Sequence, residues 1–169
     1  GLHLFNLATG QDDHVLTNLG NLLGESFVFA REVYSPISWS ADGIRLLIGM
    51  SYFEGSTLAV MKPGEAQPFQ RLWSSGPICC SPQWSPDGKS VLVANPSFSS
   101  QMPGLWRYDT ETGEESTLIS SLSSPRYAGW PVELPSGDLF FFYGEHFSQE
   151  EGIPLALFRL ELESGDFSQ

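Results

Sequence analysis

An aromatic ring and a carboxylate recur together in this chain at a spacing that could do chemistry. Trp39-Ser-Ala-Asp42-Gly43 is followed 45 residues later by Trp84-Ser-Pro-Asp87-Gly88. Two carboxylates brought together could act as general acid and base, and the two rings could form a platform for a ligand. Each copy is followed directly by an apolar run, however, and this arrangement favours a structural role.

The residues between tryptophan and glycine are those of a tight turn. In Ser85-Pro86-Asp87-Gly88 the proline presets φ at the second turn position, and the aspartate can accept a hydrogen bond from its own backbone. Glycine takes the left-handed conformation that closes a hairpin. Asp42 and Asp87 are therefore predicted to form equivalent turns in different repeats. Trp39 and Trp84 are predicted to pack in the seams between successive repeats.

A third, degraded copy of the motif shows that the repeat has a period. Pro135-Ser136-Gly137 precedes the apolar run 139–142, and Glu133 stands where the tryptophan would be, with Trp130 three residues earlier. Gly43 and Gly88 are 45 residues apart, and Gly88 and Gly137 are 49 apart. A period of about 40 to 50 residues that contains several short strands is typical of propeller blades.

The segments between the turns read as strands. The second strand of each repeat is predicted at Arg45 to Tyr52, Ser90 to Asn95 and Asp138 to Tyr143, apolar on both faces because a neighbouring repeat covers each side. A third strand follows, then a glycine turn and a more polar fourth strand, predicted at Gln67 to Trp73 and Glu115 to Ile119. Because no sustained helical period is present, the fold class predicted is all-β.

Trp-Ser-Pro-Asp-Gly-Lys followed by an alternating apolar strand resembles the TolB-type repeat, a relative of the WD repeats. The resemblance implies a β-propeller of four-stranded antiparallel blades, with about three repeat periods present. It also favours a periplasmic or other extracytoplasmic location. We expect a single domain over 1–169, in the following parts: strands C and D of a first blade (1–19), a possible insertion (20–35), a second blade (36–73), a third blade (80–120), and a fourth blade lacking its last strand (128–169).

Closed propellers typically have four to eight blades, which is more than this chain supplies. Two expectations follow. Either the chain is a fragment of a larger propeller, or copies associate through open blade edges, which would otherwise present unpaired backbone groups.

Charge and motif content exclude several classes of function. The net charge of −12, from 8 basic and 20 acidic residues, argues against nucleic-acid binding. No apolar run approaches the 18 residues of a membrane span. His3, His14 and His146 fall in separate repeats, and neither a Gly-x-Ser-x-Gly segment nor a phosphate-binding glycine loop is present. The sequence predicts no catalytic residue, no metal site and no cofactor.

The predicted topology points to one face of the blades as the binding surface. Connections A–B and C–D are short and lie on one face, whereas B–C and D–A connections lie on the other and are longer. The predicted B–C loops are Tyr52 to Ser56, Asn95 to Gly104 and Gly144 to Pro154. Exposed aromatic and methionine side chains in loops are common anchors for a partner. The candidate binding residues are Phe53, Phe98, Met102, His146 and Phe147.

Three functions are compatible with this sequence. The first is a non-catalytic module that binds a protein or peptide through the loops. The second is the substrate-gating propeller of a serine peptidase resembling prolyl oligopeptidases, whose catalytic serine would lie outside this chain. The third is a carbohydrate-active propeller, for which the expected aromatic floor and paired carboxylates are not found at matching positions.

Overall fold

The computed structural model of the chain describes residues 2–16, 33–52, 55–64, 69–71, 79–95, 104–120, 127–144 and 156–169. Within these ranges all regular secondary structure is β-strand, which confirms the predicted class. The strands in chain order are β1 (Leu2–Phe5), β2 (Asp12–Leu16), β3 (Val33–Trp39), β4 (Leu46–Tyr52), β5 (Gly55–Met61), β6 (Phe69–Arg71), β7 (Cys79–Trp84), β8 (Ser90–Asn95), β9 (Gly104–Asp109), β10 (Glu115–Ser120), β11 (Tyr127–Glu133), β12 (Asp138–Gly144), β13 (Ala156–Glu161) and β14 (Phe167–Ser168).

The strands form one two-stranded sheet and three four-stranded sheets, each an up-and-down antiparallel meander. We name them half-blade I (β1–β2), blade II (β3–β6), blade III (β7–β10) and blade IV (β11–β14), with strands A to D in chain order within each full blade. The predicted propeller architecture consists of four-stranded antiparallel blades that repeat along the chain, and blades II, III and IV match it. The prediction of fold is therefore confirmed.

Two predicted boundaries need correction. Blade IV was expected to lack its last strand, but β14 pairs with β13 through Arg159↔Ser168 and Leu160↔Phe167. The Gly165 amide donates to the Glu161 carbonyl in the intervening turn, which folds the chain back far enough for this short strand to form. The proposed insertion over 20–35 is also too long, because β3 begins at Val33. Its remainder lies outside the described residues.

Each full blade has a forward face, directed at the next blade in the chain, and a back face, directed at the preceding one. Between blades II and III, Leu47, Leu58 and Val60 on the forward face meet Val91, Val93 and Tyr108 on the back face. Between blades III and IV the forward face supplies Leu92, Ala94 and Leu105, and the back face supplies Leu139, Phe141, Tyr143 and Leu160. We call these contacts seam II–III and seam III–IV. Burial of these side chains in both seams is the main stabilising interaction between blades.

The inner strands of successive blades are neighbours. Strand β11 contacts β7, β8 and β9 of blade III, and β3 contacts β7. Strand A therefore lies nearest the centre of the array, as in a propeller. Because the strands of a blade alternate in direction, every connection between them lies at one or the other end of the blade.

Candidate functional site

The end of the blades that carries the B–C connections, here the loop face, is where binding was predicted. Its five candidate residues, Phe53, Phe98, Met102, His146 and Phe147, all lie outside the described residues. The strands that hold the loops are described, however, and their register defines how far apart the loop ends are.

The B–C connections start from the same kind of strand pairing in all three blades. In blade II the last pair is Tyr52↔Gly55, so residues 53–54 alone join the strands, and the predicted longer loop from Tyr52 to Ser56 is wrong. In blade III the last pair is Asn95↔Gly104, which leaves 96–103 as the loop. In blade IV the last pair is Tyr143↔Ala156, and 145–155 follows the end of β12. Two of the three hairpins are therefore extended well beyond the length that their strands require.

The opposite end of the blades, here the turn face, is built from the Trp-Ser-x-Asp-Gly motif. Asp42 Oδ1 accepts hydrogen bonds from the Ser40 hydroxyl at 2.5 Å and the Ile44 amide at 2.9 Å. Asp87 Oδ1 accepts the equivalent bonds from Ser85 and from the Lys89 amide, at 2.6 and 3.0 Å. The side chains of both aspartates are thus engaged within their own turns.

These bonds change the acidity of the two carboxyl groups. The Ser40 hydroxyl, and next the Ile44 amide, lower the pKa of Asp42 to about 2. The Ser85 hydroxyl and the Lys89 amide lower the pKa of Asp87 below its ordinary value. Both groups are ionised acceptors at neutral pH and cannot serve as a general acid there.

Glycine closes each of these turns with a left-handed backbone. The φ angles are 70° at Gly43, 69° at Gly88 and 88° at Gly137. Gly88 is also crowded, because a Cβ atom there would lie 3.3 Å from the Ala41 nitrogen and 3.5 Å from the Ser40 Cβ. The turn of blade III therefore packs directly on the turn of blade II.

The two motif tryptophans have different environments. Trp84 borders the core of seam II–III, and its Nε1–H donates to the Ser38 carbonyl of blade II at 3.1 Å. The Arg45 guanidinium lies 5.7 Å from the centre of the Trp84 ring. Trp39 was expected in an equivalent seam but is 46% exposed, because half-blade I makes no extensive contact with β3 among the described residues.

Glu133 takes the tryptophan position in blade IV. It is the last residue of β11 and pairs with Leu139, as Trp84 pairs with Val91. Its Oε2 lies 2.7 Å from Nη2 of Arg107, which is on the forward face of blade III. In each seam an arginine of one blade therefore meets the end of strand A of the next.

Sequence reasoning missed both of these arginines. Arg45 is buried, and it donates from Nη1 to Thr110 Oγ1 at 2.9 Å and from Nη2 to Asp42 Oδ2 at 3.1 Å. Thr110 Oγ1 in turn donates to the Lys89 carbonyl at 2.7 Å. Arg45 directly precedes an otherwise apolar strand and Arg107 lies within one, and this pattern could have identified them. A charged side chain that is buried in such a strand requires a partner.

Solved structures with similar folds are known. TolB from Acinetobacter baumannii has a TM-score of 0.60 at 16% sequence identity, over 98% of this chain and 36% of that protein. A putative TolB from Agrobacterium tumefaciens has a TM-score of 0.59 at 17% identity, over 80% of this chain and 48% of that one. The fold is that of a TolB-like β-propeller.

The same TolB-like fold occurs in enzymes. An oligogalacturonate lyase from Vibrio parahaemolyticus has a TM-score of 0.63 at 14% identity, over 99% of this chain and 45% of the lyase. A prolyl endopeptidase has a TM-score of 0.59 at 11% identity, over 97% of this chain and 23% of that protein. No protein-family model and no curated protein sequence matches the chain. This TolB-like chain spans less than half the length of these structural neighbours.

The described part of the TolB-like propeller has no cluster of three or more histidine, cysteine, aspartate or glutamate side chains that could hold a metal ion. Of the three histidines, His3 lies with Nδ1 3.0 Å from Asp12 Oδ1 on the surface of half-blade I. His14 pairs with His3 across β1 and β2, so these two histidines lie in one repeat and the prediction of separate repeats is wrong for them. The side chain of His14 and the whole of His146 are outside the described residues. Among the described residues we also find no helix of the length and apolar character needed to cross a membrane.

Proposed function

We propose that this chain is a non-catalytic module of a TolB-like propeller that binds a protein or peptide through its loop face. The observation that carries the proposal is the difference in hairpin length between blades whose strand register is equivalent. Residues 53–54 suffice to join Tyr52 and Gly55 in blade II, whereas 96–103 join Asn95 and Gly104 in blade III. The fold does not require the added residues of blade III.

Extra loop length of this kind costs little folding free energy and can contribute to the recognition of a partner. The entropy of closing a loop rises by about 0.6 kcal/mol for each doubling of its length, so an extension is easily tolerated. Loops on a rigid scaffold are also where binding residues concentrate. Blades III and IV are adjacent, so the loops 96–103 and 145–155 start from neighbouring sheets at the same end of the array.

The composition of the two loops indicates what they would recognise. Residues 96–103 read Pro-Ser-Phe-Ser-Ser-Gln-Met-Pro, and 145–155 read Glu-His-Phe-Ser-Gln-Glu-Glu-Gly-Ile-Pro-Leu. Phenylalanine and methionine provide apolar anchors, and small polar residues provide adaptable hydrogen bonding. The three glutamates of the second loop favour basic residues in the partner. The ligand expected is therefore a peptide segment with both apolar and basic side chains.

The turn face supports the same assignment by contrast. Asp42 and Asp87 accept hydrogen bonds within their own turns, and Arg45 is held by Thr110 and Asp42. Side chains that already have these partners have less capacity to bind a ligand. The loop face is accordingly the better surface for a partner.

Selection with a library of random linear peptides displayed on phage tests this proposal. Enriched peptides should contain apolar and basic residues, and their affinity can be measured by isothermal titration calorimetry. Phe98→Ala and Phe147→Ala should each weaken binding by on the order of tenfold or more, the loss typical of an aromatic anchor. Ile44→Ala, an exposed apolar residue of the turn face, is the matched control and should leave the affinity unchanged.

Enrichment of no peptide, or of peptides whose affinity is insensitive to both loop variants, would refute binding through the loop face. The likeness to a prolyl endopeptidase supports a second candidate, a substrate-gating propeller domain. In that case peptides would contact the inner strands, and changes at strand A rather than at the loops would reduce their affinity.

A further inference from the structure

Seam III–IV lacks the hydrogen bond that joins the turns of blades II and III. In seam II–III, Arg45 donates from its guanidinium to Thr110 of the next blade at 2.9 Å. The closing backbone hydrogen bonds of the A–B turns place Ser90 of blade III where blade II has Arg45. Those of the C–D turns place Leu162 of blade IV where blade III has Thr110. Because a leucine side chain can neither donate nor accept, this contact has no counterpart in seam III–IV.

The A–B turn of blade IV also stands apart from the turn of blade III. Its closing hydrogen bond encloses 135–137, whereas that of blade III encloses 86–89, so the turn of blade IV is one residue shorter. At Gly88 a Cβ would lie 3.3 Å from the nitrogen of Ala41 in the preceding turn. At Gly137 it would meet no atom of the described residues within 4 Å. The turns of blades III and IV are therefore not interlocked.

An ion pair joins blades III and IV instead. Arg107 has the position of Val60 in blade II, because these residues pair with Leu92 and Leu47 at the same step of strand B. Its Nη2 lies 2.7 Å from Oε2 of Glu133, and the two side chains are 29% and 11% exposed. Since water is partly excluded, the attraction between these charges is stronger than that of a pair on the surface. Two positions that are apolar or aromatic in seam II–III thus carry opposite charges in seam III–IV.

The geometry of this ion pair makes seam III–IV the more compliant of the two. Although the two atoms are close, their contact lacks the alignment of a hydrogen bond, and Arg107 Nε has no hydrogen-bond partner among the described residues. A hydrogen bond fixes direction as well as distance, whereas the attraction between charges depends mainly on distance. The pair of Arg107 and Glu133 therefore holds the turn-face ends of the blades together, but less rigidly than interlocked turns do.

The two long loops of the loop face lie on either side of this seam. Loop 96–103 follows β8 of blade III, and 145–155 follows β12 of blade IV. Glu133 is at the other end of the blades, where β11 meets its A–B turn. Between the two ends lie buried apolar side chains such as Leu105 and Phe141. If the turn-face ends separate about this core, the loop-face ends must move towards each other.

We propose that seam III–IV is a hinge and that the Arg107–Glu133 ion pair, by holding it closed on the turn face, sets the spacing of the two long loops. The inference rests on the proposed function, because it concerns the regulation of the same loop face. A peptide that contacts both loops binds best when their spacing is fixed in advance, since less freedom is then lost on binding. A partner bound across the loops would in turn stabilise one tilt of blade IV, as linkage requires.

Residual dipolar couplings of backbone amides test the hinge without any ligand, because they report the orientation of each blade. In the wild-type chain, the couplings of blades II, III and IV should fit one alignment tensor. Glu133→Gln keeps the shape of the side chain but removes its charge, so blade IV should no longer fit the tensor that blades II and III still share. Glu161→Gln is the matched control, because this half-exposed acid contacts Arg159 of its own blade, and all three blades should keep one tensor.

Affinity for a selected loop-face peptide tests the effect on binding. Glu133→Gln and Arg107→Met should each weaken binding by about threefold to tenfold, as expected for residues that act on a site from a distance. The double variant should bind no more weakly than either single variant, because both substitutions remove the same ion pair. Glu161→Gln should bind like the wild type. Circular dichroism should show that all variants are folded.

The outcomes separate the hinge from the proposed function. One tensor for all three blades in both Glu133→Gln and Arg107→Met, or the same divergence in Glu161→Gln, would overturn the hinge. Divergent tensors with unchanged affinity would show that the tilt does not control the loop face, which also overturns the proposal. Failure to select any loop-face peptide would refute the proposed function instead, and the couplings would still decide whether blade IV tilts.

Discussion

The turn face and the loop face are built on the same strands but differ in how completely the fold specifies them. On the turn face, each A–B turn closes with a left-handed glycine, and in blades II and III an aspartate within the turn accepts bonds from a nearby backbone amide and from a serine two residues earlier. On the loop face, equivalent strand ends are joined by 53–54 in blade II but by 96–103 in blade III. Residues of the turn face are therefore needed to maintain the blade, whereas the added residues of the loop face could be removed without loss of the blade.

The seams explain why the turn face must be regular. Gly88 packs against Ser40 and Ala41 of the preceding turn, and Arg45 reaches Thr110 in the turn of the next blade. Blades align when their turns fit together, so a changed turn also disturbs the packing between sheets. The B–C loops have no such requirement. Substitutions on the two faces should therefore divide into effects on stability and effects on binding.

The largest expected effect is at the glycine where two turns meet. Gly43→Ala should cost about 1 to 2 kcal/mol of unfolding free energy, because a left-handed backbone is strained for any residue with a Cβ. Gly88→Ala should cost about 1 kcal/mol or more beyond that, since its Cβ would also press on Ala41. Urea denaturation measures both. Equal losses would mean that the two turns are not in close contact.

A slightly smaller effect is expected at the arginine that links the turns. Arg45→Met removes charged hydrogen bonds to Thr110 and Asp42 while keeping most of the apolar stem, and it should cost about 1.5 to 3 kcal/mol. Lys89→Met, an exposed cation of the same face, should change stability by less than about 0.5 kcal/mol. Thermal and urea unfolding of the pair give the comparison. A similar result for both variants would show that the hydrogen bonds of Arg45 do not stabilise the seam.

The effect of Asp42 should depend on pH in a defined direction. Its folded-state pKa of about 2 lies below the ordinary value of 3.8, so the ionised form stabilises the fold above pH 4. This contribution should be lost as the pH falls from about 4 towards 2. Asp42→Asn should therefore lower the melting temperature at pH 6, and the difference from wild type should shrink in acid. A difference independent of pH would contradict the assigned bonds.

The smallest effect on stability is expected on the loop face. Replacing 96–103 by Asn-Gly would join Asn95 to Gly104 with two residues, as blade II joins Tyr52 to Gly55. The unfolding free energy should change by less than about 1 kcal/mol, because loop closure depends only weakly on length. Urea denaturation checks this, and the same variant should lose affinity for the selected peptides. A large loss of stability would mean that the loop is part of the core.

The blades could be predicted from sequence because their turns and strands depend on local chemistry. The strand β8 was predicted with its observed bounds, Ser90 to Asn95, from a proline-aspartate-glycine turn followed by an apolar run. The features that the sequence did not predict depend on contacts between residues that are distant in sequence. Arg45 meets Thr110, 65 residues away, and Trp39 is exposed although its local motif matches that of Trp84.

The candidate site was less predictable than the fold for the same reason. Topology assigns 96–103 and 145–155 to one end of the blades, but the arrangement of Phe98 or His146 depends on contacts that no local pattern encodes. The first B–C loop was predicted too long, because Gly55 and Ser56 read as a turn although Gly55 pairs with Tyr52. Strand register, rather than composition, decides where a loop begins.

Mapping a selected peptide on the isotope-labelled chain by NMR shows whether a partner binds the loop face and not the turn face. If the peptide binds the loop face, backbone amide shifts should change in 96–103, in 145–155 and at the adjoining strand ends Asn95 and Gly104. Amides of the turns at 40–45 and 85–89 should remain unchanged. Shifts confined to those turns, with the long loops unaffected, would contradict the proposed function.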